Sequence, residues 1–231
     1  MEEKPAWREA TTMIRVNILV EGQTEETFVR DVLIPAYSSA GIFFTAILAE
    51  TSPGHKGGIV NYGKTKRQLV RLCQRDQSAY VTTMIDYYGL PTDFPGINDS
   101  AISNEVNIQT RMELLESALE LDVNQNNFIA NYLLHEFEAL LFCQPDKFET
   151  WLDNAPVSDL ERVRAEFPTP EHINNSPQTS PSKRIMAMAP HYKKVLHGPM
   201  IAGDIGLENI RQQCPHFNHW LERIEALAVN N

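Results

Sequence analysis

No run of apolar residues in this chain approaches the roughly 20 that a bilayer-crossing helix needs. Met1 to Thr12 is polar and lacks the apolar centre of a secretory leader. Cysteine is scarce. Cys73, Cys143 and Cys214 are far apart and odd in number, which argues against a disulfide framework and for reduced thiols in the cytoplasm. Acidic residues are missing from two stretches. Between Thr51 and Arg75 the charges are those of Lys56, Lys64, Lys66, Arg67, Arg71 and Arg75, and between His172 and Gly203 those of Lys183, Arg184, Lys193 and Lys194. The formal net charge is nevertheless −10, so the remainder is strongly acidic. Such segregation offers phosphates a local basic surface on an acidic protein, and it equally describes two solvated helix faces.

What is present is a core. Hydrophobic residues make up 42% of the 231, enough for one large domain or one domain with an appended subdomain. Ile14–Val20 alternates as a half-buried strand does and then turns fully apolar. Helical spacing follows over residues 25–39, ended by Gly41. A second strand is predicted over 42–49, then a glycine-rich loop from Pro53 to Gly58 and a basic helix over 64–75. Further strands are predicted over 80–85 and 127–134, separated by a turn-rich loop from Gly89 to Ser103 and an amphipathic helix over 105–121. A short helix is expected over 135–142. This alternation predicts an α/β domain over residues 14–144, with a mainly parallel sheet of about four strands flanked by helices, after a tail over 1–13. Beyond Pro145 the pattern is helical: 146–154, 158–167, 182–196, 207–213 and 216–228, separated by proline-bearing loops. It reads as an extension over 145–231 packed on the core.

Ligands of parallel α/β sheets bind at the carboxyl ends of the strands. Glu21 follows the first strand, and Gly22 permits a sharp turn there. Thr24 suits a helix cap, while Glu25 and Glu26 favour the first helical turn. Asp86 ends the third strand, and Glu136 and Glu138 follow the fourth. Any one of these acids alone is more often a solvated surface group. Convergence at one sheet edge suits Mg2+ or Mn2+, which prefer oxygen ligands and can activate water and steady the leaving oxygen of a phosphodiester.

Several separated blocks carry a family likeness. Val20-Glu21-Gly22-Gln23-Thr24-Glu25, Met84-Ile85-Asp86-Tyr87-Tyr88-Gly89-Leu90-Pro91 and Asp93-Phe94-Pro95-Gly96 are similar to the Toprim-like family called domain of unknown function 4276. So are His135-Glu136-Phe137-Glu138-Ala139-Leu140-Leu141-Phe142, Pro181-Ser182-Lys183-Arg184-Ile185 and Cys214-Pro215-His216-Phe217-Asn218-His219-Trp220-Leu221. The resemblance implies a Toprim-like Rossmannoid fold, a divalent-metal site and cleavage of DNA or RNA. It also implies a setting beside partner ATPases in defence against phage or plasmids.

By that resemblance Glu21 is a metal ligand or general acid/base, Glu25 the second glutamate of the nuclease-type branch, and Asp86 the first aspartate of an Asp-x-Asp pair. Tyr88 stands where the second aspartate belongs, which removes one ligand and leaves one or two metals open; Asp93 and Glu138 are the alternatives. Lys183 and Arg184 are placed to stabilise developing charge at phosphorus, or form a surface pair at a helix start. The expected set is therefore Glu21, Asp86 and Lys183 for catalysis and Glu21, Glu25, Asp86 and Glu138 for metal. Lys56, Lys64, Lys66, Arg67, Arg71 and Arg184 are expected at nucleic acid. The competing expectation is a non-catalytic sensor or regulatory subunit docking on an ATPase, with Tyr88 marking a degenerate site. A homodimer is compatible with both.

Other signals are weaker. Gly58-Ile59-Val60-Asn61-Tyr62-Gly63-Lys64-Thr65 matches the P-loop letter for letter, but it does not follow its strand at once and its bulky residues suit phosphate wrapping poorly. A helix-capping loop is the better reading. His135-Glu136-Phe137-Glu138-Ala139 lacks the second histidine of a zinc protease, and Cys214, His216 and His219 lack a fourth ligand. Tyr87 and Tyr88 suit base stacking and, equally, packing of the following loop.

Overall fold

The computed structural model describes residues 13–229 except 53, 54, 57, 174, 175 and 177. Most of the predicted tail, and Pro53, Gly54 and Gly57 of the glycine-rich loop, thus lie outside the described residues.

Strand β1 (Ile14–Val20) is the hub. Its alternation sends Val16, Ile18 and Val20 into one hydrophobic cluster and Leu19 into another on the opposite face. The chain leaves β1 through α1 (Gln23–Phe28), a π-type segment Val29–Leu33 and α2 (Ile34–Tyr37). Gly41, at φ 74°, closes this helical run and admits β2 (Ile42–Leu48). A small antiparallel pair follows, β3 (Glu50–Ser52) with β4 (His55–Lys56). Next come α3 (Tyr62–Arg75), β5 (Tyr80–Asp86), α4 (Ser100–Ser103) and α5 (Ile108–Val123). Two short strands, β6 (Phe128–Ile129) and β7 (Tyr132–Leu133), complete the sheet.

The main sheet is parallel throughout, in the order β2-β1-β5-β6, with β7 also paired to β5. The predicted strand over 127–134 is thus two pieces along one edge. Between them Thr83 and Asn131 replace the regular ladder. The Thr83 hydroxyl donates to the Asn131 carbonyl (2.6 Å) and accepts from its N–H (2.9 Å), and the Asn131 amide donates to the Thr83 carbonyl (3.0 Å). Both residues are buried, so their polar atoms need such partners.

After β7 the chain runs through 3₁₀ segments Phe137–Cys143 and Pro145–Thr150, then α6 (Val157–Ala165) and a short 3₁₀ turn Pro170–His172. Helices α7 (Pro181–Met188), α8 (Lys194–Ile205), α9 (Leu207–Gln213) and α10 (Pro215–Val229) follow. The single helix expected over 182–196 is broken: α7 stops at Met188 and α8 starts at Lys194. Pro190 lies in the break, and the residue before a proline is disfavoured in helical conformation.

The faces of the sheet are covered differently. Leu69, Cys73, Met112, Leu115 and Leu119 of α3 and α5 join Leu19, Val81 and Ile85 on one side. On the other, Phe28, Ile201, Phe217, Trp220 and Leu221 of α1, α8 and α10 join Val16, Val20 and Met84. Each such side chain fully withdrawn from water contributes about 1.5–3 kcal/mol. The later helices therefore complete the core of β1. Among the described residues no helix is long and apolar enough to cross a membrane.

Candidate functional site

The carboxyl ends of β1, β5 and β7 bring five acids together. Glu21 leaves β1, and its Oε2 accepts from the Asp86 N–H at 3.2 Å, tying the ends of β1 and β5. Glu25 is buried in the first turn of α1 and accepts from the Gly22 N–H at 2.8 Å, closing its own helix start. Asp86 Oδ1 accepts from the Phe137 N–H at 2.9 Å, which docks the segment after β7 onto the end of β5. His135 stands at that turn with φ 70°, a left-handed conformation in which histidine is enriched. Beyond it, buried Glu136 accepts from both the N–H and the hydroxyl of Ser182 at 2.8 and 3.0 Å. Glu138 is buried and meets the Lys194 ammonium at 3.4 Å, with Glu136 4.0 Å from the same nitrogen.

This is a crowded set of like charges around one cation. Burial raises the Glu21 carboxyl, only partly offset by the Asp86 amide and Lys194. Burial and the neighbouring Glu21 charge push Glu25 up to about 7. Glu138 also reaches about 7, again through burial, with Glu136 and Glu25 opposing the attraction of Lys194. Asp86 is raised well above the ordinary range by burial and then by repulsion from Glu25, Glu21, Glu138 and Glu136. Asp86 and Glu21 nevertheless keep water-accessible edges; crowding by protein atoms, not full enclosure, accounts for their shifts.

The donor set suits a hard divalent cation in kind: carboxylate oxygen, excess negative charge, and access at Glu21 and Asp86. The arrangement is not yet a coordination sphere. Among the described residues no three acidic, histidine or cysteine side chains are placed to hold a metal ion together. Part of the donor capacity is already in use. Glu21 and Asp86 each commit one oxygen to a backbone amide, and both oxygens of Glu136 are taken by Ser182.

The sequence-predicted residues separate. Glu21, Glu25, Asp86 and Glu138 meet. Asp93, an alternative to the missing second aspartate, instead accepts from the Tyr62 N–H at 2.9 Å at the start of α3. Tyr88 extends the β5–β7 pairing, its N–H bonding the His135 carbonyl at 2.7 Å. Lys183 is exposed beside Ser182. Arg184 lies with its guanidinium over the Phe167 ring at 5.4 Å and donates to the Thr179 carbonyl at 2.7 Å. Of the basic stretch, Lys66 pairs with Asp122 at 2.8 Å and Arg71 with Glu50 at 2.9 Å. Arg67 is exposed on the same helix. Lys64 lies in the first turn of α3, where its N–H bonds the Asn61 side chain at 2.9 Å, so this loop caps a helix. Lys56 belongs to β4, opposite Glu50.

Sequence reasoning missed the cation of the cluster, Lys194. Only its lack of acidic neighbours in the sequence marked it, as one of four lysines and arginines between His172 and Gly203. Ser182 lies in one of the family-like blocks but carries no role there, and Tyr192 bears no pattern. Cys214 and His216 hold no shared ion: the Cys214 sulfur lies 3.4 Å from that of Cys143, and His216 bonds Glu116.

A family model described as Domain of unknown function (DUF4276) matches residues 20–225. Two similar solved structures are of the C-terminal region of the Xanthomonas campestris pv. campestris OLD protein. One, phased with platinum, is 16% identical over 94% of each chain, with a TM-score of 0.47. The other, phased with mercury, is 14% identical over 94% of this chain and 98% of that one, with a TM-score of 0.43. No curated protein matches the chain.

Proposed function

The chain belongs to the DUF4276 family, and from that premise and the acid cluster we propose a phosphodiesterase that cleaves DNA or RNA with Mg2+ or Mn2+. One observation carries the reading: five acids from three strand ends crowd around Lys194, and the raised proton affinities of Glu21, Glu25, Asp86 and Glu138 register an excess of negative charge. A solvated surface patch does not hold acids this way.

Glu21, Glu25, Asp86 and Glu138 would hold the ion. When bound, it supplies charge stabilisation at the phosphoryl oxygens and a more acidic water. The remaining work falls to the chain. Ser182 fixes Glu136, and Lys194 balances Glu138. The Glu21–Asp86 bond keeps the ends of β1 and β5 in register. Lys56, Lys64, Lys66, Arg67, Arg71 and Arg184 would be the contacts to the sugar-phosphate backbone, with Lys183 at the developing charge; Lys66 and Arg71 would have to leave exposed ion pairs, each worth little. Defence against phage or plasmids and a cytoplasmic setting belong to this reading as its biological context.

Calorimetric titration of Mn2+ into the protein, beside Glu21→Gln and Asp86→Asn, tests it. Saturable binding lost in both folded variants is expected; no binding in the parent overturns the metal site.

A second reading is favoured by Tyr88 in the place of an acid and by the absence of a ready-made coordination group among the described residues. On it, the protein is a non-catalytic subunit that docks on an ATPase or pairs with a second copy. It predicts a stable complex whose formation is indifferent to Glu21→Gln.

A further inference from the structure

A second group faces the acid cluster and makes no bond there. Tyr192, in the break between α7 and α8, is only 5% exposed, and its hydroxyl has no hydrogen-bond partner among the described residues. Its ring is fixed between Phe148 and His197, with centroids 6.2 and 6.0 Å away. The hydroxyl lies under Gly198 of α8. A Cβ there would stand 3.0 Å from the Tyr192 oxygen and 3.4 Å from both Phe137 and Thr24. Thr24 precedes Glu25, and Phe137 separates Glu136 from Glu138. The hydroxyl thus sits where the two acid-bearing elements and α8 meet. Burial first, then the charges of Glu138, Glu136 and Glu25, keep it protonated throughout the physiological range.

A buried hydroxyl without a partner is destabilising, and such groups are rare in folded proteins. Lys194 is engaged by two carboxylates and Ser182 by Glu136; His135 Nδ1 and Ser180 Oγ share the unpartnered state of Tyr192, but of the three only the Tyr192 hydroxyl lies between α8 and both acid-bearing elements. An anionic ligand entering this acid-rich corner needs a donor that is not already committed. We propose that Tyr192 is a substrate-binding residue whose hydroxyl donates to a non-bridging oxygen of the phosphodiester held in the acid cluster. This rests on the nucleic-acid reading above and adds to it a residue that neither composition nor spacing marks. As a neutral donor it binds a phosphoryl oxygen without competing for the carboxylates, as a further lysine would.

Tyr192→Phe tests it, because losing an unbonded hydroxyl and losing a structural one have opposite signatures. Three measurements suffice: the melting temperature, Mn2+ affinity by calorimetry, and affinity for a short fluorescent oligodeoxynucleotide with Ca2+ present to limit cleavage. The expected result is a melting temperature equal to or above the parent's, unchanged Mn2+ affinity, and about ten-fold weaker oligonucleotide binding. Tyr37→Phe is the control, since the Tyr37 hydroxyl bonds Glu225 and Arg211; it should melt lower and bind the oligonucleotide as the parent does. A Tyr192→Phe protein that melts lower would show that the hydroxyl is already satisfied inside the free protein, as by a buried water, and would overturn the proposal. Unchanged oligonucleotide affinity, with Mn2+ binding intact in the parent, would overturn Tyr192 alone. A parent that binds neither Mn2+ nor the oligonucleotide would overturn Tyr192 and the phosphodiesterase reading together.

Discussion

Among the described residues, acids are buried in two places, and the two are built on opposite terms. Where α10 docks, Glu171 accepts from the His216 and Phe217 N–H groups at 3.0 and 2.9 Å, at the start of that helix. Glu116 accepts from the Tyr132 N–H at 3.0 Å and meets His216 Nε2 at 3.0 Å. Burial alone would lower the His216 pKa, but Glu116 and Glu171 outweigh it and raise it. There, amide, imidazole and helix start complement each carboxylate. At the strand ends, by contrast, Glu21, Glu25, Asp86, Glu136 and Glu138 share Lys194 and repel one another. One cluster is matched partner for partner, although burial still raises Glu171. The other is under-compensated, which is what the proposed metal site requires.

The largest test of this contrast is Glu171→Ala. It strips two buried amides of their acceptor and leaves His216 with Glu116 alone, so urea unfolding should show a loss of about 3 kcal/mol. Asp86→Asn should do the reverse. It removes repulsion, leaving metal-free stability equal to the parent's or higher by about 1 kcal/mol, while Mn2+ affinity measured by calorimetry falls by about 100-fold. A large destabilisation by Asp86→Asn would erase the distinction between the clusters.

A pH series sharpens the comparison further. Glu25 and Glu138 take up protons near 7 in the folded protein and near 4.5 when free of it. Between those values the folded state binds more protons, so their contribution to stability falls as pH rises and levels off above about 7. Mn2+ competes with those protons, so the stabilisation it confers in a thermal melt should grow over the same window. The smallest effect is expected of Lys194→Met. With the internal cation gone, Mn2+ should bind a few-fold more tightly, while nucleic-acid cleavage in an end-labelled assay should fall.

Much of this was legible along the chain and some was not. Ile14–Val20 and Tyr80–Asp86 are read as strands because their apolar residues follow a period that local geometry imposes, and Glu21 and Asp86 follow from where those strands end. The edge strand was overdrawn, because Thr83 and Asn131 substitute side-chain bonds for ladder bonds and hydropathy does not register that. Helical spacing over 182–196 runs across Pro190, and there the proline outweighs it: α7 ends at Met188 and α8 begins at Lys194. Lys194 was not legible in its role: it meets Glu138 across 56 positions, and nothing local encodes so distant a pairing.

That pairing bears on how the chain can be divided. Every acid of the cluster lies before Pro145, whereas Ser182, Tyr192 and Lys194 all lie after it. A fragment ended at Pro145 would inherit the negative charge without its counterweight. The boundary at which the sequence changes character therefore does not separate a working part from an accessory one: substitutions on either side would have to be accommodated by the other.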